Sequence, residues 1–218
     1  MQKIIAIDLE TIADPSAMDI LPEVKPAGNL KDPAKIEADI ADKKKKQILD
    51  MGLSPFTNLI CCAGWYDSEH QSGAFTLTEA SYEAERDLLI QFWDHLSKYD
   101  HFVTFNGRAF DLRCLYLHGV IHGIRPAVNI DKGRYNKTGS NHTDVRLILA
   151  GEDKFATGRL DFFAKKFLRD NKTEGIDGEL VQGYWDMGLT DDIREYCIKD
   201  CEITYRLFEK VKTAGLLE

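Results

Sequence analysis

The sequence predicts an α/β fold, a mixed central sheet flanked by helices, and three observations carry that expectation. An apolar run, KIIAID, opens the chain and reads as a buried strand. The segments NLICCAGWYD and SGAFTLTE, rich in strand formers and separated by the polar DSEHQ, read as an antiparallel pair. From Ser81 onward helical periods alternate with a short strand and close on a long amphipathic helix, the order expected when helices cover a sheet.

After the first strand, residues 12–57 form a polar insertion whose first half is broken by Pro15, Pro22, Pro26 and Pro33. Asp32 and Pro33 have the form of an N-cap and a first helical position, and Ile36, Ile40, Ile48 and Met51 keep an approximate helical face until Gly52 stops it. The run Lys43 to Lys46 on that helix reads as a solvated face. In SYEAERDLLIQFWDHLSKY, Ser81 is the cap and Leu88, Leu89, Phe92, Trp93 and Leu96 recur at helical spacing. HFVTF is a short strand, FDLRCLYLHGV a helix ending near Gly119, and residues 123–141 a flexible loop rich in turn formers. HTDVRLILAG is a strand or a short helix and RLDFFAKKFL a helix. The last helix, TDDIREYCIKDCEITYRLFEKVKTAG, lines up Ile193, Cys197, Cys201, Tyr205 and Phe208 on one side. Residues 1–218 are expected to form a single domain with the insertion at about 12–57.

At 218 residues with 44% hydrophobic content, the chain can bury a sizeable core. It has no run of about 18 apolar residues to span a membrane, and MQKIIAIDLE lacks the features of a signal peptide, so a cytoplasmic location without membrane attachment is expected. The odd count of five cysteines favours reduced thiols, and Cys197 and Cys201, one helical turn apart, read as small buried side chains rather than half of a zinc site. A net charge of -8 argues against coating long duplexes by bulk electrostatics. It leaves room for a local acidic pocket that holds divalent cations and, with them, a phosphate.

Acids recur where strands end and helices begin. In IIAIDLET the period of two puts Asp8 and Glu10 on one face, roughly 6 to 7 Å apart along the strand. Two anions there cost stability unless water, a cation or a metal ion offsets them. In FVTFNGRAFD a strand runs through Asn106 and Gly107 into a helix near Asp111, where an aspartate would also serve as a cap. In EYCIKDCEITYRLF, Tyr196 and Asp200 are four apart and share a helical face. Asp144 and Asp161 are accounted for by capping, and His101 and His142, each without a second histidine at ligand spacing, are not read as metal ligands.

Taken together and in this order, D-x-E on a strand, N-x3-FD at a strand-to-helix junction and Y-x3-D on the terminal helix resemble the exonuclease motifs of the DEDD superfamily of 3′-5′ exonucleases, in the subgroup with Tyr in the third motif. The segment RLDFFAKKFL further resembles the proofreading domain of family-B DNA polymerases, and the whole chain resembles stand-alone predicted exonucleases related to that domain. The likeness runs from residue 3 to about residue 212, with 12–57 matched only loosely. It implies a ribonuclease-H-like fold and a site in which Asp8, Glu10, Asp111 and Asp200 hold two Mg²⁺ or Mn²⁺ ions. On that reading Asp8 bridges both ions, Glu10 and Asp200 complete the site that generates the nucleophile, and Asp111 holds the second ion directly or through water. Tyr196 orients the attacking water, because a phenol with a reference pKa near 10 is a poor base at neutral pH.

Thr11 is expected to touch the terminal sugar, and Asn106 and Phe110 to line the groove for the end nucleotides, with core packing as the other reading of Phe110. Arg134 and Lys137, with Lys132 and Tyr135, are candidates for phosphate contacts on the loop. The expected substrate is single-stranded nucleic acid with a free 3′ end, DNA ahead of RNA, released as nucleoside monophosphates. An exoribonuclease and a non-catalytic nucleic-acid-binding module of the same fold are the alternatives. A polymerase or repair protein acting in trans is a further possible partner.

Overall fold

The computed structural model describes residues 2–133, 137, 139–151, 153, 158–169 and 178–217. The first strand, β1 (Ile4–Ala13), does not stop before the acids but carries them at its middle. Four more strands join it: β2 (Asn58–Asp67), β3 (Ser72–Thr76), β4 (His101–Thr104) and β5 (His142–Asp144). The order across the sheet is β3-β2-β1-β4-β5, with β2 and β3 antiparallel to their neighbours and β4 and β5 parallel to β1. A mixed five-stranded sheet of this order flanked by helices is the expected ribonuclease-H-like arrangement.

The insertion folds mainly into α1 (Pro33–Gly52), and the Asp32 carboxylate accepts the Ala34 amide at 3.0 Å to cap it. Only Met51 and Gly52 of this helix are buried; Met51 packs with Ala13 and Ala17, and Lys44 to Lys46 are exposed. Ser81 caps α2 (Tyr82–Leu96) by accepting the Ala84 amide at 3.2 Å. α3 (Asp111–Ile121) runs two residues past Gly119, and the turn falls instead at Gly123, whose φ of 64° suits glycine. HTDVRLILAG contains both of its alternatives, β5 and then α4 (Val145–Leu149). RLDFFAKKFL forms α5 (Leu160–Phe163), continued by the wider turn Ala164–Leu168. α6 (Val181–Asp186) and α7 (Thr190–Thr213) close the chain. Among the described residues no helix is long and apolar enough to cross a membrane.

Alternation along β1 divides the core. Ile5, Ile7 and Leu9 pack with Leu88, Phe92 and Trp93 of α2 and with Leu112 and Leu115 of α3. Ile4 and Ala6 point the other way, to Ile203, Leu207 and Phe208 of α7. Asp8 and Glu10 continue the second series, so the period of two aims them at the last helix.

That helix can approach because of a glycine. Gly64 stands opposite Asp8 in the β1–β2 register, and a Cβ on it would lie 2.6 Å from Cys197 Sγ and 3.2 Å from Cys201 Sγ. Two small thiols on α7 therefore rest on bare backbone, consistent with all five cysteines being buried and free. We predict that Gly64→Ala overpacks this contact and destabilises the protein by about 1 to 3 kcal/mol in urea unfolding, with loss of activity beyond the loss of folded protein. Unchanged stability would mean that α7 has slack that this packing denies it.

Candidate active site

Three elements deliver the acids. Asp8, half-buried, and Glu10, buried, come from β1. Asp111 opens α3 and is buried; its Oδ1 accepts the Leu9 amide of β1 at 3.0 Å. This bond has a cause in the sheet. β4 pairs with β1 only from Ile4 to Ala6, so beyond that point the two parallel strands part and the Leu9 amide needs another acceptor. The crevice they open at their carboxyl ends is where α/β sheets place ligands.

Tyr196 and Asp200, both buried, come from adjacent turns of α7, and the Tyr196 hydroxyl donates to the Asp200 carboxylate. Between them in sequence, the Cys197 thiol donates to the Asp8 carbonyl at 3.4 Å and reaches its carboxylate at 3.8 Å. Asp8, Glu10 and Cys197 each offer a ligand atom, all within 4.8 Å of one another.

The charges register this crowding. Burial raises the Asp8 carboxyl well above the usual carboxylate range, and Cys197, Glu10, Asp111 and Asp200 add to it. Asp111 is pushed up to about 7, again mainly by burial, with the Leu9 amide pulling the other way. The Tyr196 phenol is held far above its ordinary value by burial, by Asp200, by Glu10 and by Asp8. It therefore keeps its proton at any working pH. Anions that resist ionisation beside one another fit a divalent cation, and a set made of carboxylate oxygens fits the hard ions Mg²⁺ and Mn²⁺.

The turn that presents Asp111 is held by a residue that the sequence marks only as a cap. Asp144, buried at the end of β5, caps α4 through the Arg146 amide and also accepts the amides of Asn106 at 2.9 Å and Arg108 at 3.1 Å. Asn106 sits at φ 68°, and a Cβ on Gly107 would meet Thr104 at 2.4 Å, so the Asn-Gly pair makes this turn possible. Arg108 carries the fixation outward, donating to the carbonyls of Asp131, Gly133 and His142.

The other expected contacts fare differently. Asn106 Oδ1 accepts from Arg146 Nη1 at 3.3 Å, and Phe110 is half-buried against the larger core beside Asp111. The Thr11 hydroxyl donates to the Gly52 carbonyl at 2.6 Å inside the protein, so its donor is spent on the end of α1 rather than turned to a sugar. Lys137 is not brought to the acids. It lines a cavity of about 610 Å³ with Ile4, His101, Phe208 and Lys212, at the ends of β1 and β4 where these strands begin. The Lys132 ammonium lies 3.7 Å over the Tyr116 ring. Arg134 and Tyr135 lie outside the described residues.

A family model for a predicted 3′-5′ exonuclease related to the exonuclease domain of PolB matches residues 56–216. The chain belongs to that family. The match contains Asp111, Tyr196 and Asp200 but begins after Asp8 and Glu10, which join the site through the sheet. No curated protein sequence matches the chain. In fold, it is similar to the family B DNA polymerase from the hyperthermophilic archaeon Pyrobaculum calidifontis, with a TM-score of 0.65 and 17% identity over 99% of this chain and 25% of that one. The exonuclease-family chain thus spans about a quarter of that polymerase's length.

The Asp111 shift fixes a sign for the ion-free protein. A carboxyl raised from 3.8 to about 7 contributes stability that is complete below 3.8 and lost as pH rises through about 7. In EDTA the thermal midpoint should therefore fall between about pH 5 and pH 7, following a loss of stability on the order of 2 kcal/mol. Asp111→Asn should remove part of that slope. A midpoint flat or rising over the window would contradict the assignment.

Proposed function

We propose that this exonuclease-family protein is a metal-dependent enzyme that removes nucleoside monophosphates from the 3′ end of single-stranded DNA by a two-ion mechanism. What supports the reading is that Asp8 and Glu10 offer ligand atoms within 4.8 Å of each other and that Glu10, Asp111 and Asp200 each raise the Asp8 carboxyl. Asp8 would be shared by both ions, Glu10 and Asp200 would hold one, and Asp111 the other. When bound, Mg²⁺ or Mn²⁺ supplies Lewis acidity at the phosphate and lowers the pKa of water.

The chain's own groups do the rest. Asp111 holds the Leu9 amide, which ties the start of α3 to the strand that carries Asp8 and Glu10. Tyr196, kept protonated by its surroundings, positions water and does not take its proton. The hydrogen bond from Tyr196 orients the Asp200 carboxylate toward the shared point. Half-burial of Asp8 leaves that point open to substrate from one side. We read residues 1–218 as one such domain, on the ground that α7 packs back onto β1 and β2. Five buried free thiols support a reducing, cytoplasmic setting, in which a polymerase or repair protein in trans is a possible partner.

A 3′-labelled oligonucleotide, as DNA and as RNA, with Mg²⁺, with Mn²⁺ and with EDTA, tests the reading. We expect ion-dependent release of label, faster from DNA. Faster release from RNA would make the protein an exoribonuclease, and no release from either would make it a binding module. Asp8→Asn and Asp200→Asn should each slow cleavage by about three orders of magnitude, since several kcal/mol of charge stabilisation would be lost. Tyr196→Phe should slow turnover by about 10- to 100-fold at unchanged affinity for Mn²⁺. A large loss of Mn²⁺ affinity in that variant would refute the positioning role.

A further inference from the structure

Glu85 of α2 meets His118 of α3 and His122, the residue that ends α3. Side chains of all three are 1% exposed. Glu85 Oε1 lies 2.7 Å from His118 Nδ1 and accepts the Ile60 amide at 2.6 Å, while Oε2 lies 2.6 Å from His122 Nε2. The two histidines are four apart, so their rings share a helical face. One ligand atom from each of the three residues lies within 4.8 Å of the others.

Neutral rings do not satisfy this arrangement. A neutral His118 has a single N–H, yet its two nitrogens face two acceptors, Glu85 Oε1 at 2.7 Å and the Pro55 carbonyl at 3.3 Å. If Nδ1 gives its lone pair to a cation, the proton sits on Nε2 and donates to Pro55. Metal-binding imidazoles are oriented by such a bond from the second nitrogen to a carbonyl. His122 lies tilted against Tyr82 with ring centroids 4.1 Å apart, and its Nδ1 is buried with no hydrogen-bond partner among the described residues. The Ile60 amide steadies the carboxylate in the same way that Pro55 steadies His118.

We propose that Glu85, His118 and His122 form a binding site for one divalent transition-metal ion of the zinc class. Two imidazoles and one carboxylate match the nitrogen and oxygen donors that zinc takes, whereas the acidic site has no imidazole in its donor set. Ligand atoms in a tetrahedral zinc site lie about 3.3 Å apart, so entry of the ion widens the two contacts to Glu85, now 2.7 and 2.6 Å, by about 0.6 to 0.7 Å. A cavity of about 260 Å³, lined by Glu85 and His118 together with Asp14, Phe56, Tyr82 and Ile121, gives the ion a route and leaves room for water in a fourth position. The ion would tie α2 to α3 and, through Ile60 and Pro55, to the start of β2.

The full chain carrying Asp8→Ala and Asp200→Ala, which disables the acidic site, is titrated with Zn²⁺ by calorimetry and with Co²⁺ by visible absorption. We expect one equivalent to bind, a thermal midpoint raised by several degrees at saturation, and affinity lowered at least about 100-fold by His118→Gln or His122→Gln, with the far-UV spectrum of each variant confirming its fold. X-ray absorption at the zinc edge of the same protein without a histidine change needs no further variant; it should report two imidazoles and no sulfur. Absence of saturable binding, which leaves a proton between Glu85 and the histidines, overturns the proposal. So does binding unaffected by both histidine variants, or a zinc spectrum dominated by sulfur.

Discussion

Repulsion among carboxylates is the interaction on which this structure turns. Asp8 lies where the charges of Glu10, Asp111 and Asp200 all reach it, and its partial burial weakens the screening that solvent would give. A chain folds around such a cluster only if packing elsewhere outweighs the cost. Here the packing comes from both faces of β1: the cluster with α2 and α3 on one side, and the cluster with α7 on the other. The strand that carries two of the acids is central in the sheet.

The devices that bring the acids together are small. α7 seats on Gly64 through two cysteines, so a helix carrying a carboxylate and a phenol lies against the middle of β1 without a layer of larger side chains between them. The strand-to-helix turn is fixed from a third place, by Asp144 accepting two of its amides. The Asp111 carboxylate then serves two ends at once, as a neighbour of Asp8 and as an acceptor for Leu9. A change at Gly64, Gly107 or Asp144 would disturb the site without removing any acid from it.

Two clusters of different chemistry lie at different places in the fold. The acidic one is built on carboxylates, with the Cys197 thiol beside them. The other is enclosed, joins nitrogen to oxygen, and sits where α2, α3 and the start of β2 converge.

Local signals account for the elements. Asp32 with Pro33, Ser81, the period of two through β1 and the period of 3.6 through α7 act within a few residues, so the strands, the capped helices and the shared faces of Asp8 with Glu10 and Tyr196 with Asp200 were readable in the sequence. The motifs also pointed to Asp111, because its strand-to-helix setting is written in FVTFNGRAFD. The site for Lys137, the inward turn of the Thr11 hydroxyl and the meeting of Glu85 with two histidines were not readable. His118 and His122 do stand at ligand spacing, but Glu85 lies more than thirty residues away, on a different helix. Sequence alone determined which residues share a strand or helix face, since that depends on backbone period. Tertiary structure decided which faces meet, since that depends on how closely α7 can approach Gly64 and where β1 and β4 part.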